Sequence, residues 1–354
     1  MLKKLLSVME EKSLDGFFIS KIHNVRYVSK YTSDDAYLLV TTNKNYFITD
    51  PRYTEQAQDE CKGFEVVNWR TVGKSISEAI ANLANGLNLK SVAFEADNIT
   101  FLNYSGLSEK IEANLIPLTN VIEDFRSVKT PEEIQNQRVS CQIACRAFER
   151  ILKDIKVGVS EKEIAAKLSY YMVSEGSDSK PYGDIVISGK RTSLLHGIPS
   201  DKKIEEGDFV LMDFGCGYKG YLSDMTRTVV VGKASDKQKE VYRLEQQMLQ
   251  DALDVMKAGA TSKDIYEASI KAIKDTEYYE YHYNNIGHGI GLFVHEIPFM
   301  GANSQAVLVE NNVTTMEPGI YIPNWGGVRI EDQVLITKDG YENLVTAPKE
   351  LIEL

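Results

Sequence analysis

Two carboxylates set into apolar sequence are the first sign of chemistry in this chain. Asp213 closes the run Phe209-Val210-Leu211-Met212, and Asp224 precedes a second apolar run, Thr226 to Val231, across a turn region holding Gly215, Gly217 and Gly220. An ionised carboxylate is costly to bury unless a counter-charge or a metal partners it. A second acidic hairpin follows 104 to 107 residues later, with Glu317 and Glu331 in "TTMEPGIYIPNWGGVRIEDQVLI". Between them, "GHGIGLFVHEIPF" offers His288 among Gly287, Gly289 and Gly291, which let backbone approach closely. Four converging carboxylates repel one another and force some to take up protons, whereas two divalent cations balance the charge. The set Asp213, Asp224, His288, Glu317 and Glu331 is hard oxygen with one imidazole, which suits Mn²⁺, Co²⁺, Fe²⁺ or Zn²⁺. An EF-hand reading of Asp213 to Asp224 fails, because Gly215 and Gly217 stand where oxygen ligands belong and Tyr218 where glycine does.

The elements that must position these groups are legible in outline. The first 120 or so residues alternate helical and strand patterns: "MLKKLLSVMEEK" helical, "GFFIS" extended, "DAYLLVTTNKNYFITD" a hairpin about Asn43-Lys44-Asn45. A helix through "PRYTEQAQ", the strand "FEVVNW", a helix through "SISEAIANLA" and the strand "SVAFEA" follow, and "IPLTNVIEDFRSVKT" reads as a connector. Thr130-Pro131-Glu132-Glu133 then starts a helix, with Thr130 as N-cap and Glu133 closing a capping box. Beyond it the sequence echoes itself. "IKVGVSEKEIAAK" from Ile155 and "MKAGATSKDIYEA" from Met256 align Gly158 with Gly259, Ser160 with Thr261 and Ile164 with Ile265. With the two acidic hairpins, this predicts two similar half-domains related by a pseudo-twofold axis, their carboxylates converging at the middle.

Composition excludes other classes. A length of 354 residues predicts two domains. The formal charge of −11 argues against nucleic acid or an anionic membrane as partner. Cys61, Cys141, Cys145 and Cys216 form no metal-like pair and read as buried free thiols. The start carries Glu10 and Glu11 too early for a signal peptide, and no apolar run reaches the ~18–20 residues of a membrane span. A cytoplasmic protein is the expectation.

The successive segments "HGIPS", "GDFVLMDFGCGYKGYLSDMTRTVVVG", "GHGIGLFVHEIP", "MEPGIYIP" and "GGVRIED" resemble the signatures of the pita-bread metallopeptidases. Within that family they are most similar to the Xaa-Pro aminopeptidases and Xaa-Pro dipeptidases. The resemblance covers nearly the whole chain and implies an α/β (α+β) architecture: a creatinase-like N-terminal domain over residues 1–125 and a pita-bread catalytic domain over 126–354. It implies two divalent ions, Mn²⁺ first, with Co²⁺ or Zn²⁺ as alternatives. Asp213 resembles the bidentate ligand of one ion, Asp224 and Glu331 the bridging carboxylates, and His288 and Glu317 ligands of the second. His196 in "LLHGIPS" resembles the imidazole that contacts the scissile region, and His295 in "VHE" the one that stabilises the oxyanion. Glu317 resembles the proton shuttle, and Arg329 a partner for the ligand carboxylates. Short proline-containing peptides are the implied substrates and a homodimer the implied assembly.

Departures from the family pattern refine this. Leu195 stands where proline is common, Asn311-Asn312 where a Gly-Met pair is usual, and Asn tolerates a positive φ. Phe299 stands where many prolidase-like relatives carry an arginine that would recognise a dipeptide's free carboxylate. That favours an Xaa-Pro aminopeptidase over a strict dipeptidase; a remote alternative is an inactive peptide-binding protein. In "GSDSKPYGDIVISGKRT", Tyr182 is a candidate pocket-lining residue. His23, His282, Trp69 and Trp325 read as packing or surface residues, and the tyrosine-rich "EYYEYHYNN" carries no functional reading.

Overall fold

Every strand expected in the first 120 residues joins one sheet. The computed structural model describes residues 1–180 and 183–354, and the chain divides into two units, Met1–Arg126 and Ser127–Leu354. In the first unit, six strands run in the order Glu65–Asn68, Asn45–Thr49, Ala36–Thr41, Gly16–Ile19, Ser91–Glu95 and Asn114–Leu118. The expected hairpin pairs Ala36–Thr41 with Asn45–Thr49 in antiparallel register. Helices Leu2–Glu11, Thr54–Glu60 and Ile76–Gly86 stand where the 3.6-residue spacing of apolar side chains places them, and Ile80, Ala81 and Ala84 pack on Phe18, Leu39 and Ile48. The expected connector is instead structured. Its first part is the edge strand Asn114–Leu118, parallel to Ser91–Glu95, and its second is the helix Val121–Ser127. Pro117 concealed the strand, since proline lacks a ladder donor and is tolerated at an edge.

The second unit is built twice. Thr130 caps helix Pro131–Ile151 with the expected capping box to Glu133, and Ser235 caps helix Asp236–Val255 with the same box to Gln238. The echo at Ile155 and Met256 is a structural repeat. Gly158 and Gly259 take positive φ values of 87° and 90°, which glycine adopts without strain. Their N–H groups donate to Ile204 O (2.9 Å) and Leu308 O (2.8 Å), and Ser160 and Thr261 then cap helices Glu161–Ser174 and Ser262–Ser269. Each half has its own apolar core, one containing Phe148, Leu168 and Met212, the other Met248, Ile265 and Val334.

The sheets repeat as well. In the first half, Phe209–Phe214 lies between Met225–Val230 and Ile185–Ser188; in the second, Val313–Met316 lies between Asp332–Ile336 and Asn285–Gly289, with Glu296–Gly301 and Tyr341–Asn343 outside. A short ribbon interrupts each hairpin: Gly217–Tyr218 with Tyr221–Leu222, and Gly319–Ile322 with Gly326–Arg329. The halves are stitched along one seam, where Glu331 N–H donates to Thr226 O (3.0 Å) and the Thr228 hydroxyl to Arg329 O (2.9 Å). Asp213, Asp224, Glu317 and Glu331 all lie at strand ends or beside them, so the repeat delivers one pair from each half. All four cysteines are free and buried. Asn311 has the positive φ anticipated for it, 69°. Among the described residues no helix is long and apolar enough to cross a membrane.

Candidate metal centre and active site

Asp224, His288 and Glu331 are all buried, and one ligand atom of each lies within 4.8 Å of the other two. Glu317 joins them: His288 Nε2 is 3.3 Å from Glu317 Oε1 and 3.7 Å from Asp224 Oδ2. The other ring nitrogen, Nδ1, donates to Gly289 O at 2.9 Å, which leaves Nε2 facing the carboxylates. This placement needs glycines on both sides of His288. A Cβ at Gly287 would stand 2.4 Å from Thr315 O, and one at Gly289 would stand 2.3 Å from Ile297 O. Asp213 is buried on the neighbouring strand and is ion-paired to Arg329. Arg329 is itself buried and donates to the Thr226 hydroxyl (3.0 Å) and the Tyr321 hydroxyl (2.8 Å).

These groups floor a cavity of about 1030 Å³. Asp213, Asp224, His288, Glu317 and Arg329 reach its wall, and the exposed imidazoles of His196 and His295 enter from two loops. The His295 ring meets the His288 ring edge-on at 4.6 Å between centroids. Tyr283 and Phe299 are on the same wall, which gives the tyrosine-rich segment a place in the site that its sequence did not suggest. Tyr182 lies outside the described residues.

The electrostatics of the cluster call for positive charge. Burial and the charges of Asp224, Glu317 and Asp213 push the Glu331 carboxyl well above its ordinary range. Burial works against a charged His288, yet Glu317 and Asp224 beside it raise its pKa to about 9. Burial would raise Glu317, but His288 holds it below the usual value. Burial, with His288 adjacent, lowers the pKa of His295. Each shift follows from carboxylates held close together out of water, a setting that favours positive charge among them. Geometry at Glu331 agrees: Oε2 accepts from the Thr226 hydroxyl at 2.7 Å, while Oε1 is buried with no hydrogen-bond partner among the described residues. An orphaned carboxylate oxygen beside an imidazole nitrogen and two further carboxylates fits a divalent cation, because such donors are satisfied by coordination.

Several supporting residues escaped the sequence reading. Arg227 is 1% exposed and donates to Glu331 O (2.6 Å), Pro348 O (2.9 Å), Ala347 O (2.8 Å) and Asp332 (2.8 Å), fixing the backbone at Glu331. Asp224 N–H donates to Gln333 Oε1 at 3.0 Å, and Ile330 N–H to the fully buried Glu245 at 3.0 Å. A third echo also went unread: Leu194-Leu195-His196-Gly197-Ile198-Pro199 against Phe293-Val294-His295-Glu296-Ile297-Pro298. The two histidines occupy equivalent places in loops that follow equivalent strands.

A doubled fold that gathers carboxylates and an imidazole at one cavity defines a metal-dependent hydrolase. Residues 135–338 match metallopeptidase family M24 and residues 1–128 the creatinase/prolidase N-terminal domain, and the chain belongs to that family. It is 36% identical to an Xaa-Pro dipeptidase of Pyrococcus furiosus over 99% of each chain. The fold is similar to that of an Xaa-Pro dipeptidase from Bacillus anthracis, with TM-score 0.95 and 40% identity over 100% of this chain and 99% of the other. It is also similar to an X-Pro aminopeptidase from Thermotoga maritima, with TM-score 0.93 and 34% identity over 100% and 99%.

Proposed function

We propose that this chain hydrolyses the Xaa-Pro bond at the N-terminus of short peptides, as an Xaa-Pro aminopeptidase working in the cytoplasm as a homodimer. The observation that carries the aminopeptidase reading is the charge of the cavity wall. Among its described residues Arg329 is the only lysine or arginine, and Asp213, Thr226 and Tyr321 already engage its guanidinium. Phe299 offers no charge to a substrate carboxylate. A dipeptide's C-terminus would therefore be desolvated without a strong partner, whereas a longer peptide's amide would not.

Asp213, Asp224, His288, Glu317 and Glu331 would hold two divalent ions, with Mn²⁺ the proposed pair and Co²⁺ or Zn²⁺ sharing the donor preference. When bound, such ions polarise a carbonyl and bring the pKa of a water toward ~7. The protein's own residues supply the rest. The Glu317 carboxylate takes the attacking water's proton and passes it to the leaving proline nitrogen. His295 donates a hydrogen bond to the developing oxyanion, and its cationic form is disfavoured by burial and by His288. His196, from the other half, contacts the scissile region. A bond to proline has no N–H, and none of these groups requires one.

An Xaa-Pro dipeptidase is the second reading, favoured by the names of the Pyrococcus furiosus and Bacillus anthracis relatives. Digestion of Ala-Pro and Ala-Pro-Ala by Mn²⁺-loaded protein, followed as free alanine, separates the two. Cleavage of the tripeptide, alone or with the dipeptide, is the expected result. Cleavage of Ala-Pro alone would make the protein a dipeptidase, and cleavage of neither with metal bound would overturn the peptidase reading.

A further inference from the structure

His196 reaches the cavity on an exposed loop, and among the described residues no hydrogen bond holds its ring. Its position is therefore inherited from the backbone between Ser188 and Ser200. Both ends of that segment are tied to one carboxylate. Glu161, 0% exposed at the first position of helix Glu161–Ser174, accepts at Oε1 from the Ser188 N–H (2.7 Å) and hydroxyl (3.1 Å). At Oε2 it accepts from the Ser200 N–H (2.9 Å) and hydroxyl (2.7 Å). Arg191, within the loop, donates through Nε to both oxygens at 3.1 Å and through Nη2 to Ile198 O at 2.6 Å, two residues from His196.

The helix does not need this side chain. Ser160 already caps it and Glu163 closes the capping box, so Glu161 is free to serve the loop. The other half holds its histidine in a related way. At the position equivalent to 161, Ser262 bonds Gly301 (3.1 and 2.9 Å), and the His295 loop carries its own buried carboxylate. That residue, Glu296, accepts from Phe293 N–H (2.9 Å) and lies 3.5 Å from the buried Lys129 Nζ. In each half a buried carboxylate with a cationic partner sets the loop that presents an imidazole to the cavity.

We propose that Glu161 is a positioning residue for the reaction: with Arg191 it fixes the Ser188–Ser200 loop so that His196 meets the substrate. The proposal rests on the role given to His196 above. The test is a double-mutant cycle on the Mn²⁺-loaded protein with Ala-Pro-Ala, comparing E161Q, H196A and E161Q/H196A, together with hydrogen exchange of residues 189–200 in the metal-free protein. Glutamine keeps one acceptor but turns a donor toward donors already present at one end of the loop. E161Q should lower kcat/KM by about 10- to 100-fold, as misplacing a reacting contact does, with metal content unchanged. It should add less than about threefold to H196A, and amides in 189–200 should exchange faster. A full multiplicative loss on the H196A background, or exchange no faster than in the parent, would overturn the proposal. An H196A variant with unchanged kcat/KM would overturn the role of His196 and with it the catalytic consequence, while the exchange data would still report on anchoring. Should E161Q fail to fold, R191K carries the same cycle, since lysine keeps the charge but not the fork that spans Glu161 and Ile198 O.

Discussion

Arg329 offers the sharpest perturbation of the centre, because its guanidinium and the expected cations serve the same carboxylates. It is 3% exposed and ion-paired to the buried Asp213, with further bonds to Thr226 (3.0 Å) and Tyr321 (2.8 Å). Arg329→Met keeps much of the volume and removes the charge. In metal-free protein this removes the arginine from a buried ion pair with Asp213, a change that costs about 3–5 kcal/mol. For a unit of 150–250 residues that corresponds to a midpoint lower by roughly 6–20 °C. With saturating Mn²⁺ the carboxylates regain positive charge, and the loss should fall to less than half. Trp325 stacks edge-on against Phe209 in this unit, and Trp69, in the other unit, is the second of two tryptophans, so Trp325 fluorescence in a Trp69→Phe background isolates the transition. Urea unfolding with and without Mn²⁺ gives both numbers. A loss below about 1 kcal/mol, or one that Mn²⁺ leaves unchanged, would refute the claim that arginine and metal share a single electrostatic task.

Asp224→Asn should abolish turnover and reduce bound metal together, while far-UV circular dichroism stays that of the parent; full turnover would rule out the bridging role. Phe299→Arg places a cation on the cavity wall and should lower KM for Ala-Pro relative to Ala-Pro-Ala, read from initial rates; an unchanged ratio would mean that this wall does not meet the substrate C-terminus. Burial pushes the Glu245 carboxyl well above its ordinary value, so the folded state keeps a proton that the unfolded chain releases, and stability falls as pH rises above about 4.3. Glu245→Gln retains an acceptor for Ile330 N–H without that liability, and should gain on the parent by up to about 1.4 kcal/mol per pH unit between pH 5 and 7 in urea unfolding; parallel curves would show that Glu245 is ionised in the fold.

The carboxylates were legible in the sequence because an acidic residue inside an apolar strand is a cost that calls for a partner, and four of them in two similar settings call for the same one. The first unit's strands were legible by alternation, except the edge strand hidden by Pro117. What could not be read was the support. Glu161 looks like an ordinary acidic residue in the first turn of a helix, where the dipole favours negative charge, and only the fold brings Ser188 and Ser200 to it. Arg227 sits among strand residues with most of its partners more than 100 positions away, among them Glu331, Ala347 and Pro348. Such contacts leave no periodicity and no local pattern. Tyr283 joined the site for the same reason: its segment wraps back to the cavity through contacts that its own sequence does not encode.

The repeat also explains why the site is lopsided. A duplicated scaffold delivers acidic residues in matched pairs, Asp213 with Glu317 and Asp224 with Glu331, and a loop histidine from each half, His196 and His295. Matching backbone contacts at Gly158 and Gly259 show that the scaffold has kept its geometry where only the main chain is involved. Where side chains act, the halves have parted. Glutamate at 161 faces serine at 262, and Ser140 donates to Cys216 O (2.7 Å) from the middle of one long helix while Glu245 accepts from Ile330 N–H in the middle of the other. A peptide bond has a carbonyl side and a nitrogen side, and a symmetric site would treat them alike. Under the proposed function, divergence in the residues that aim each loop would let His196 and His295 approach the two sides on separate terms, while the backbone beneath them stays common.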